Sequence, residues 1–342
     1  MEKRLEKKIK RRIIARNWEF FAVTAPGLES VCLSEFSNFP LSEVAASEIQ
    51  GGISFSGKVN RAYLANLHLR TASRILMRIE EFRATNFRTL EKKISAFPWE
   101  LFVNAEPMPR IKASATHSRL YHTGAVCRHF SESIRNRLFS LPKSELVKRT
   151  GDTRQTIYVR IVDDRVTVSL DSSGEVLYKR GLKASGGPAP IRETIAAAAL
   201  MLAGFTGKEP LIDPMCGSGT FSLEGAMMAL RIPPGWYRRF AFMEWPFFRP
   251  PAYAHIRRCA EEEFRDIGSC RIFASDIDDD ICRRLQSGLE AFNLSRAVRV
   301  EPGRDFFSFM PSEFTGEPGV VALNPPYGRR LADEKEVRNL LK

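Results

Sequence analysis

The sequence predicts an α/β protein in which a doubly wound, Rossmann-like domain follows a smaller α+β region. Three observations predict it. From residue 191 onward, short apolar segments alternate with helical ones, the pattern of a parallel sheet flanked by helices. Before residue 181, strands and short helices alternate as in a ferredoxin-like unit. Between the two, Ala184-Ser185-Gly186-Gly187-Pro188-Ala189-Pro190 has the composition of a linker, which places the main domain boundary there.

Element by element, Trp18 to Thr24 is an aromatic and β-branched run expected to form a strand, and Pro26-Gly27 opens a helix to about Phe36. Gly51 to Gly57 is a glycine-bounded strand. A helix over Val59 to Leu69 and a strand over Arg74 to Phe82 complete the first unit. The second unit has a helix near Thr89 to Ala96, a strand over Arg110 to Thr116 and a helix around Ala125 to Phe139. Two period-two strands follow, Thr156 to Val162 and Arg165 to Leu170, joined by the hairpin signal Asp163-Asp164. Beyond the linker come helix Glu193 to Leu202, strand Pro210 to Asp213, helix Thr220 to Leu230 and strand Arg271 to Asp276. Helix Asp279 to Phe292, strand Ala297 to Pro302 and strand Gly319 to Asn324 close the series. The expected division is a basic extension over 1–17, a ferredoxin-like unit over 18–83, a second α+β unit over 84–183 and the Rossmann-like domain over 184–342.

The chain of 342 residues carries a net charge of +12, and that charge is unevenly placed. Residues 181–342 hold 21 basic and 21 acidic side chains, so the whole excess lies in the first 180 residues. Residues 1–16 carry eight basic side chains against two acidic ones. That stretch is either a polyanion-binding arm or a solvated, partly helical tail. A second surplus runs from Arg128 to Arg160 and includes Arg135, Arg137, Lys143, Lys148, Arg149 and Arg154. A basic half joined to a neutral half predicts separate tasks, polyanion binding in the first and chemistry in the second.

Composition excludes several classes. The longest mainly apolar run, Thr194 to Phe205, is too short to cross a bilayer, so no membrane partner is expected. The charged N-terminus has no apolar block behind it and does not read as a secretory signal. Six cysteines without a CxxC pair and five histidines without ligand spacing predict neither a zinc site nor a disulfide framework, and free thiols suit a reducing cytoplasm. No metal is expected. Asp278, Asp279 and Asp280 sit where acids cap a helix start, and Cys216 is expected to be a small packing residue.

The strongest local signal is Asp213-Pro214-Met215-Cys216-Gly217-Ser218-Gly219-Thr220, where an apolar strand ends in an acid, two glycines follow and a helix begins. Such a turn lets backbone pass close to a ligand. A P-loop is excluded because no GxxxxGK[ST] is present, and the third glycine of a dinucleotide fingerprint is missing. Asp213, Asp276 and Asp305 each fall at or just after a strand end, and parallel strands bring those ends to one crevice. Clustered carboxylates repel a pyrophosphate but suit an ammonium, a sulfonium and a ribose diol, which S-adenosylmethionine combines. Asp276 would accept from the ribose hydroxyls, Asp305 from the adenine amine, and Asp213 would act near the methionine end.

Asn324-Pro325-Pro326-Tyr327 follows the apolar strand Val320-Val321-Ala322-Leu323. Two prolines stiffen the turn and remove two backbone donors, leaving carbonyl oxygens beside the Asn324 side chain. These acceptors match the two hydrogens of an exocyclic amine, and Tyr327 offers a face for the ring that bears it. Behind the glycine turn, this reads as a methyl-acceptor site.

These two motifs, with Leu177-Tyr178-Lys179-Arg180-Gly181 and Ala189-Pro190-Ile191-Arg192-Glu193-Thr194 ahead of them, resemble the THUMP-domain guanine-N2 RNA methyltransferases, most of all the bacterial enzymes that modify 23S ribosomal RNA. Phe21-Ala22-Val23-Thr24-Ala25-Pro26-Gly27-Leu28-Glu29 also resembles the family's opening, so the likeness spans Trp18 to Lys342. It implies a class I methyltransferase domain over 184–342, a ferredoxin-like unit and a THUMP RNA-binding domain ahead of it, S-adenosylmethionine as cofactor and RNA as partner. Carried over, Asp213, Gly217 and Gly219 line the methionine end with Pro214, Cys216, Ser218 and Thr220, while Asp276 with Ile277 meets the ribose and Asp305 with Phe306 the adenine. Asn324, Pro325, Pro326 and Tyr327 hold the target base, and Arg110, Lys112, Arg119, Arg128 and Arg135 are expected to contact RNA.

Two departures stand out. Residues 1–17 are a basic extension, and the chain stops 15 residues after Tyr327, where class I domains place three more strands, so a continuation is expected. Rival readings are a transfer RNA guanine enzyme, an adenine-N6 or glutamine-amide methyltransferase, and a non-catalytic RNA-binding or ribosome-assembly factor. A basic RNA-gripping half disfavours the glutamine acceptor, DNA adenine enzymes usually bring a target-recognition region, and no acid or acceptor of the motifs is missing.

Overall fold

The structure is a computed structural model that describes residues 2–38, 40–41, 43–142, 146, 154–182, 191–266, 270–308 and 310–325. The linker at Ala184–Pro190, the basic residues Lys143, Lys148 and Arg149, and the site residues Pro326 and Tyr327 lie outside the described residues. Two compact units form: Met1–Gly181 with Pro233–Glu263, and Leu182–Ile232 with Phe264–Lys342. The linker composition alone puts 233–263 inside the second domain, whereas these residues pack with the first unit.

The first unit begins with α1 (Glu2–Ile9), which continues through a wider turn over Lys10–Ile14. Leu5, Ile9 and Ile13, four residues apart, are buried in the unit's core. The extension is therefore not a fully solvated tail; one stripe of it is core. Next come β1 (Trp18–Val23), α2 (Glu29–Glu35), β2 (Ala46–Ile49), β3 (Gly52–Gly57), α3 (Asn60–His68) and β4 (Arg74–Arg83). This βαββαβ order, with antiparallel neighbours β2-β3-β1-β4, is the ferredoxin-like topology. Then α4 (Phe87–Ala96), β5 (Arg110–Thr116), α5 (Thr123–Phe139), β6 (Thr156–Val162) and β7 (Arg165–Asp171) follow. Because β7 pairs with β4, one seven-stranded sheet in the order β2-β3-β1-β4-β7-β6-β5 runs through both stretches. The β6–β7 hairpin turns on Asp163 and Asp164 at φ 50° and 62°, the left-handed pair of a type I′ turn.

Alternation gives this sheet two unlike faces. Ile75, Met77, Ile157, Val159, Ile161, Val166, Val168 and Leu170 are buried in one core with Leu90 and Ile94 of α4 and Val126, Phe130 and Ile134 of α5. The opposite positions carry Arg78, Glu81, Arg83, Arg110, Lys112, Arg160, Arg165 and Thr167.

The second unit is built from α6 (Glu193–Leu202), β8 (Leu211–Asp213) and α7 (Thr220–Ala229) before the chain passes to α8 (Pro250–Glu262) of the first unit. It resumes with β9 (Ile272–Asp276), α9 (Asp279–Ala291), β10 (Val298–Pro302) and β11 (Val320–Val321). The four strands are parallel in the order β10-β9-β8-β11. Counted along the unit, that is third, second, first, fourth. The order reverses between β8 and β11, and ligands of such sheets bind outside the carboxyl ends at that point. A Cβ on Gly225 would meet Leu211 Cδ2 at 2.5 Å, so α7 packs closely against β8 and a side chain there would displace Leu211.

The residues Leu177 to Gly181, singled out by their resemblance, have a structural role in the first unit. Arg238 donates to the carbonyls of Val176 and Lys179 (2.8 and 2.7 Å) and of Glu175 (2.7 Å), while Arg180 donates to those of Leu177 and Arg70 (3.0 and 2.7 Å). Two buried guanidinium groups thus satisfy the carbonyls of a segment without regular structure.

Candidate cofactor and acceptor site

The turn between β8 and α7 is stitched to β9 by two backbone donors. Cys216 donates to the Ser275 carbonyl at 2.9 Å, and Gly217 donates to Asp276 Oδ2 at 2.9 Å. Gly219 closes the turn with a bond to the Cys216 carbonyl at 2.7 Å and sits at φ 76° as the residue before α7. Ser218 and Gly217 remain partly exposed on the outer side of the turn. Cys216 and Cys282 of α9 are both buried and face one another; the Cys282 thiol, with burial, pushes the Cys216 thiol well above its ordinary value. Cys216 is thus a packing residue.

Asp213 is set deeper than the sequence implies. Its Oδ2 accepts from the Ser222 hydroxyl and backbone N–H at 2.7 and 3.2 Å, capping the first turn of α7. Its Oδ1 is buried and has no partner among the described residues. Burial, opposed by the Ser222 bonds and reinforced by the nearby Asp276 charge, pushes the carboxyl up to about 7. A cation near the turn would offset that cost.

Asp276 ends β9, with Oδ2 on Gly217 and Oδ1 accepting from Asp278 N–H at 3.0 Å. It is only half-buried, and each carboxylate oxygen has capacity for a second donor. Ile277 beside it is 73% exposed. Arg304 donates its N–H to the Asp276 carbonyl at 3.2 Å, so the loop after β10 is tied to the end of β9, and Asp305 follows immediately. Asp305 Oδ1 accepts from Phe307 N–H at 3.1 Å. Phe306 is half-buried whereas Phe307 is 65% exposed, so the outward ring is the one sequence reasoning passes over. Only the alternation of a Phe-Phe pair could have signalled it. The acids at 278 to 280 cap α9, with Asp278 Oδ1 accepting from Asp280 and Ile281 N–H at 2.9 and 3.2 Å.

On the other side of β8, Ala322 donates to the Ile212 carbonyl at 2.9 Å, which carries the chain past β11 to Asn324 at the same carboxyl edge. Asp213, Asp276, Asp305 and Asn324 therefore all lie at or after the carboxyl ends of the parallel strands. Asn324 and Pro325 are half-buried. The residues expected to contact RNA do not form one patch. Arg110 and Lys112 lie on the open sheet face, Arg119 in the turn after β5, and Arg128 and Arg135 on the exposed side of α5, which packs on the opposite sheet face.

The donor set fits S-adenosylmethionine. A buried carboxyl with one unpartnered oxygen sits at the glycine turn, a half-buried acid follows on β9, and the apolar side chains of Ile277 and Phe307 are exposed after the ends of β9 and β10. The fold and this edge define a class I, S-adenosylmethionine-dependent methyltransferase with a ferredoxin-like N-terminal domain. Residues 180–342 match the family described as UPF0020, RMKL-like methyltransferase domain, and residues 19–76 match the RlmL ferredoxin-like domain. The chain belongs to this RMKL-like methyltransferase family. Two proteins named "Putative RNA methyltransferase", slr0064 of Synechocystis and YpsC of Bacillus subtilis, are 30% and 31% identical over 92% and 93% of this chain and 81% and 82% of their own length. The "Ribosomal RNA large subunit methyltransferase K/L" of Psychromonas ingrahamii is 30% identical over 91% of this chain, which spans 42% of that protein. A "predicted N6-adenine-specific DNA methylase" from Listeria monocytogenes (29% identity, TM-score 0.84) and the methyltransferase SMU.472 complexed with SAH (29%, 0.81) each cover 95% of this chain and 84% of their own. Among the described residues no helix is long and apolar enough to cross a membrane, and no group of three His, Cys, Asp or Glu could hold a metal.

Proposed function

We propose that the protein methylates the exocyclic N2 amine of a guanine in 23S ribosomal RNA, with residues 84–183 acting as a THUMP RNA-binding domain. The observation that carries this is the placement of Asn324 and Pro325 at the carboxyl edge beside the β8 turn, across the point where the strand order reverses. The names of the K/L relatives support ribosomal RNA as the class of substrate.

Bound S-adenosylmethionine supplies an electrophilic methyl group. Asp276 would accept from the ribose hydroxyls, Ile277 and the Asp305 to Phe307 loop would take the adenine, and the Gly217–Gly219 turn would take the methionine end. The guanine amine is a weak nucleophile because its lone pair is delocalised into the ring. The Asn324 side-chain oxygen and the Pro325 carbonyl hold its two hydrogens and favour the pyramidal nitrogen. A neutral Asn would stabilise the positive charge growing there, and the proton leaves the nitrogen for solvent after transfer, so no strong base is required. A paired base hides its amine, so the target is unpaired or flipped out, with Tyr327 replacing the lost stacking. Incubation with labelled S-adenosylmethionine and separate 23S, 16S and transfer RNA fractions tests the substrate. Label in the 23S fraction is expected; label confined to transfer RNA favours the rival guanine enzyme, and no label in any fraction sinks the proposal.

A further inference from the structure

On the open face of the first unit, a groove of about 700 Å³ runs over β4, β7 and β6, lined by Glu81, Arg83, Arg160, Asp163, Arg165 and Thr167. Its register is unusual. Arg83 of β4 stands directly opposite Arg165 of β7, and Arg160 of β6 stands opposite Thr167, one position diagonal to Arg165. Like charges directly opposite one another on an antiparallel pair destabilise it. Arg165 is bridged to Glu81 at 2.7 Å, which leaves Arg83 and Arg160 without a side-chain partner among the described residues. Both are exposed, and both project from strands, which hold side chains more rigidly than loops do. Asp163 at the hairpin turn is the second acid of the groove. Beyond β6, the same face continues to Lys112 and Arg110 of β5, whose register partners are Tyr158 and Thr156.

We infer that this groove holds backbone phosphates of single-stranded RNA, gripped by the juxtaposed Arg83, Arg160 and Arg165. The inference rests on the proposed RNA substrate and gives it a location that net charge alone does not. Guanidinium groups bind phosphate oxygens through two parallel N–H bonds, and an anion between Arg83 and Arg165 relieves their repulsion. The Thr167 hydroxyl donates to Glu81 Oε2 at 3.4 Å, so the guanidinium groups supply the anion's donors. The expected ligand is the sugar–phosphate track, read without regard to base sequence. It follows that Arg128 and Arg135, on the helical side, take no part.

The test is the salt dependence of binding of a labelled single-stranded RNA oligonucleotide of mixed sequence. Abolishing one arginine–phosphate pair lowers the slope of log K against log salt by about 0.7. The R83Q/R160Q double variant is expected to lose about 1.4 from that slope, and R128Q/R135Q to keep the wild-type slope. Thermal melting at or above the wild-type temperature shows that the sheet is intact, since one member of an opposed like-charge pair is gone. If the wild type binds RNA and R83Q/R160Q retains its slope, the groove is not the site. If the wild type binds no RNA, the RNA reading itself falls.

Discussion

Gly217 donates its backbone N–H to Asp276 Oδ2 at 2.9 Å, so the carboxylate that ends β9 also holds the glycine turn that follows β8. One acid thereby shapes two halves of a single edge. Removing it should disturb together the two strand ends that the proposed cofactor site uses.

Asp276→Asn keeps the size of the side chain but removes its charge. A hydrogen bond to a charged group contributes about 1.5–3 kcal/mol, so S-adenosylhomocysteine should bind roughly 10- to 100-fold more weakly by calorimetry. An unchanged affinity would place the ribose elsewhere.

Asp213 contributes to the pH dependence of stability, together with the carboxyls of Glu35 and Asp171, which burial also pushes up. Its ordinary value of 3.8 is raised to about 7 by burial. The folded state therefore binds this proton more tightly than the unfolded chain does. The stability it contributes is full below about pH 4 and is lost as pH rises through about 7, at no more than about 1.4 kcal/mol per pH unit. Chemical denaturation of the ligand-free protein between pH 4 and 8 should show this fall, and Asp213→Asn should make it shallower. A parallel slope in the variant would assign the effect to another group.

Gly219 disfavours a side chain on two counts. At φ 76°, a Cβ there would lie 2.3 Å from Leu285 Cδ1 of α9. Left-handed backbone costs a non-glycine residue about 1–2 kcal/mol and overpacking about 1–3, so Gly219→Ala should lower stability by about 2–5 kcal/mol in urea denaturation. Gly217, at φ 51° with open space where its Cβ would stand, should lose only the backbone part. Equal losses at the two positions would show that contact with Leu285 is unimportant.

Asn324→Ala should abolish methyl transfer while leaving RNA affinity unchanged, because the side chain acts on the amine and not on the phosphates. Filter binding and single-turnover methylation separate the two. Retained turnover would count against an acceptor role for Asn324.

Much of this architecture is legible in local pattern. Arg110–Thr116, Thr156–Val162 and Glu193–Leu202 form at the limits their periodicity predicts, because each turns one regular face inward. Ala46–Ile49 carries no such signal, since none of its residues is buried and little apolar alternation is left to detect. The segment Pro250–Glu262 hides behind two prolines, which here open a helix rather than break one. In the basic extension, the density of charge masks Leu5, Ile9 and Ile13, the stripe that the core uses. At the site, strand ends place the acids correctly on one edge, but tertiary contacts decide their partners. Ser222, nine residues after Asp213, claims the carboxylate that the motif offers to the ligand.

The central claim is that this edge delivers a methyl group to the N2 amine of guanine. Total nucleoside digestion of 23S ribosomal RNA treated with the protein and labelled S-adenosylmethionine, resolved by mass spectrometry, tests it most directly. N2-methylguanosine carrying the label is the predicted result; label in N6-methyladenosine, or in no nucleoside, would contradict it.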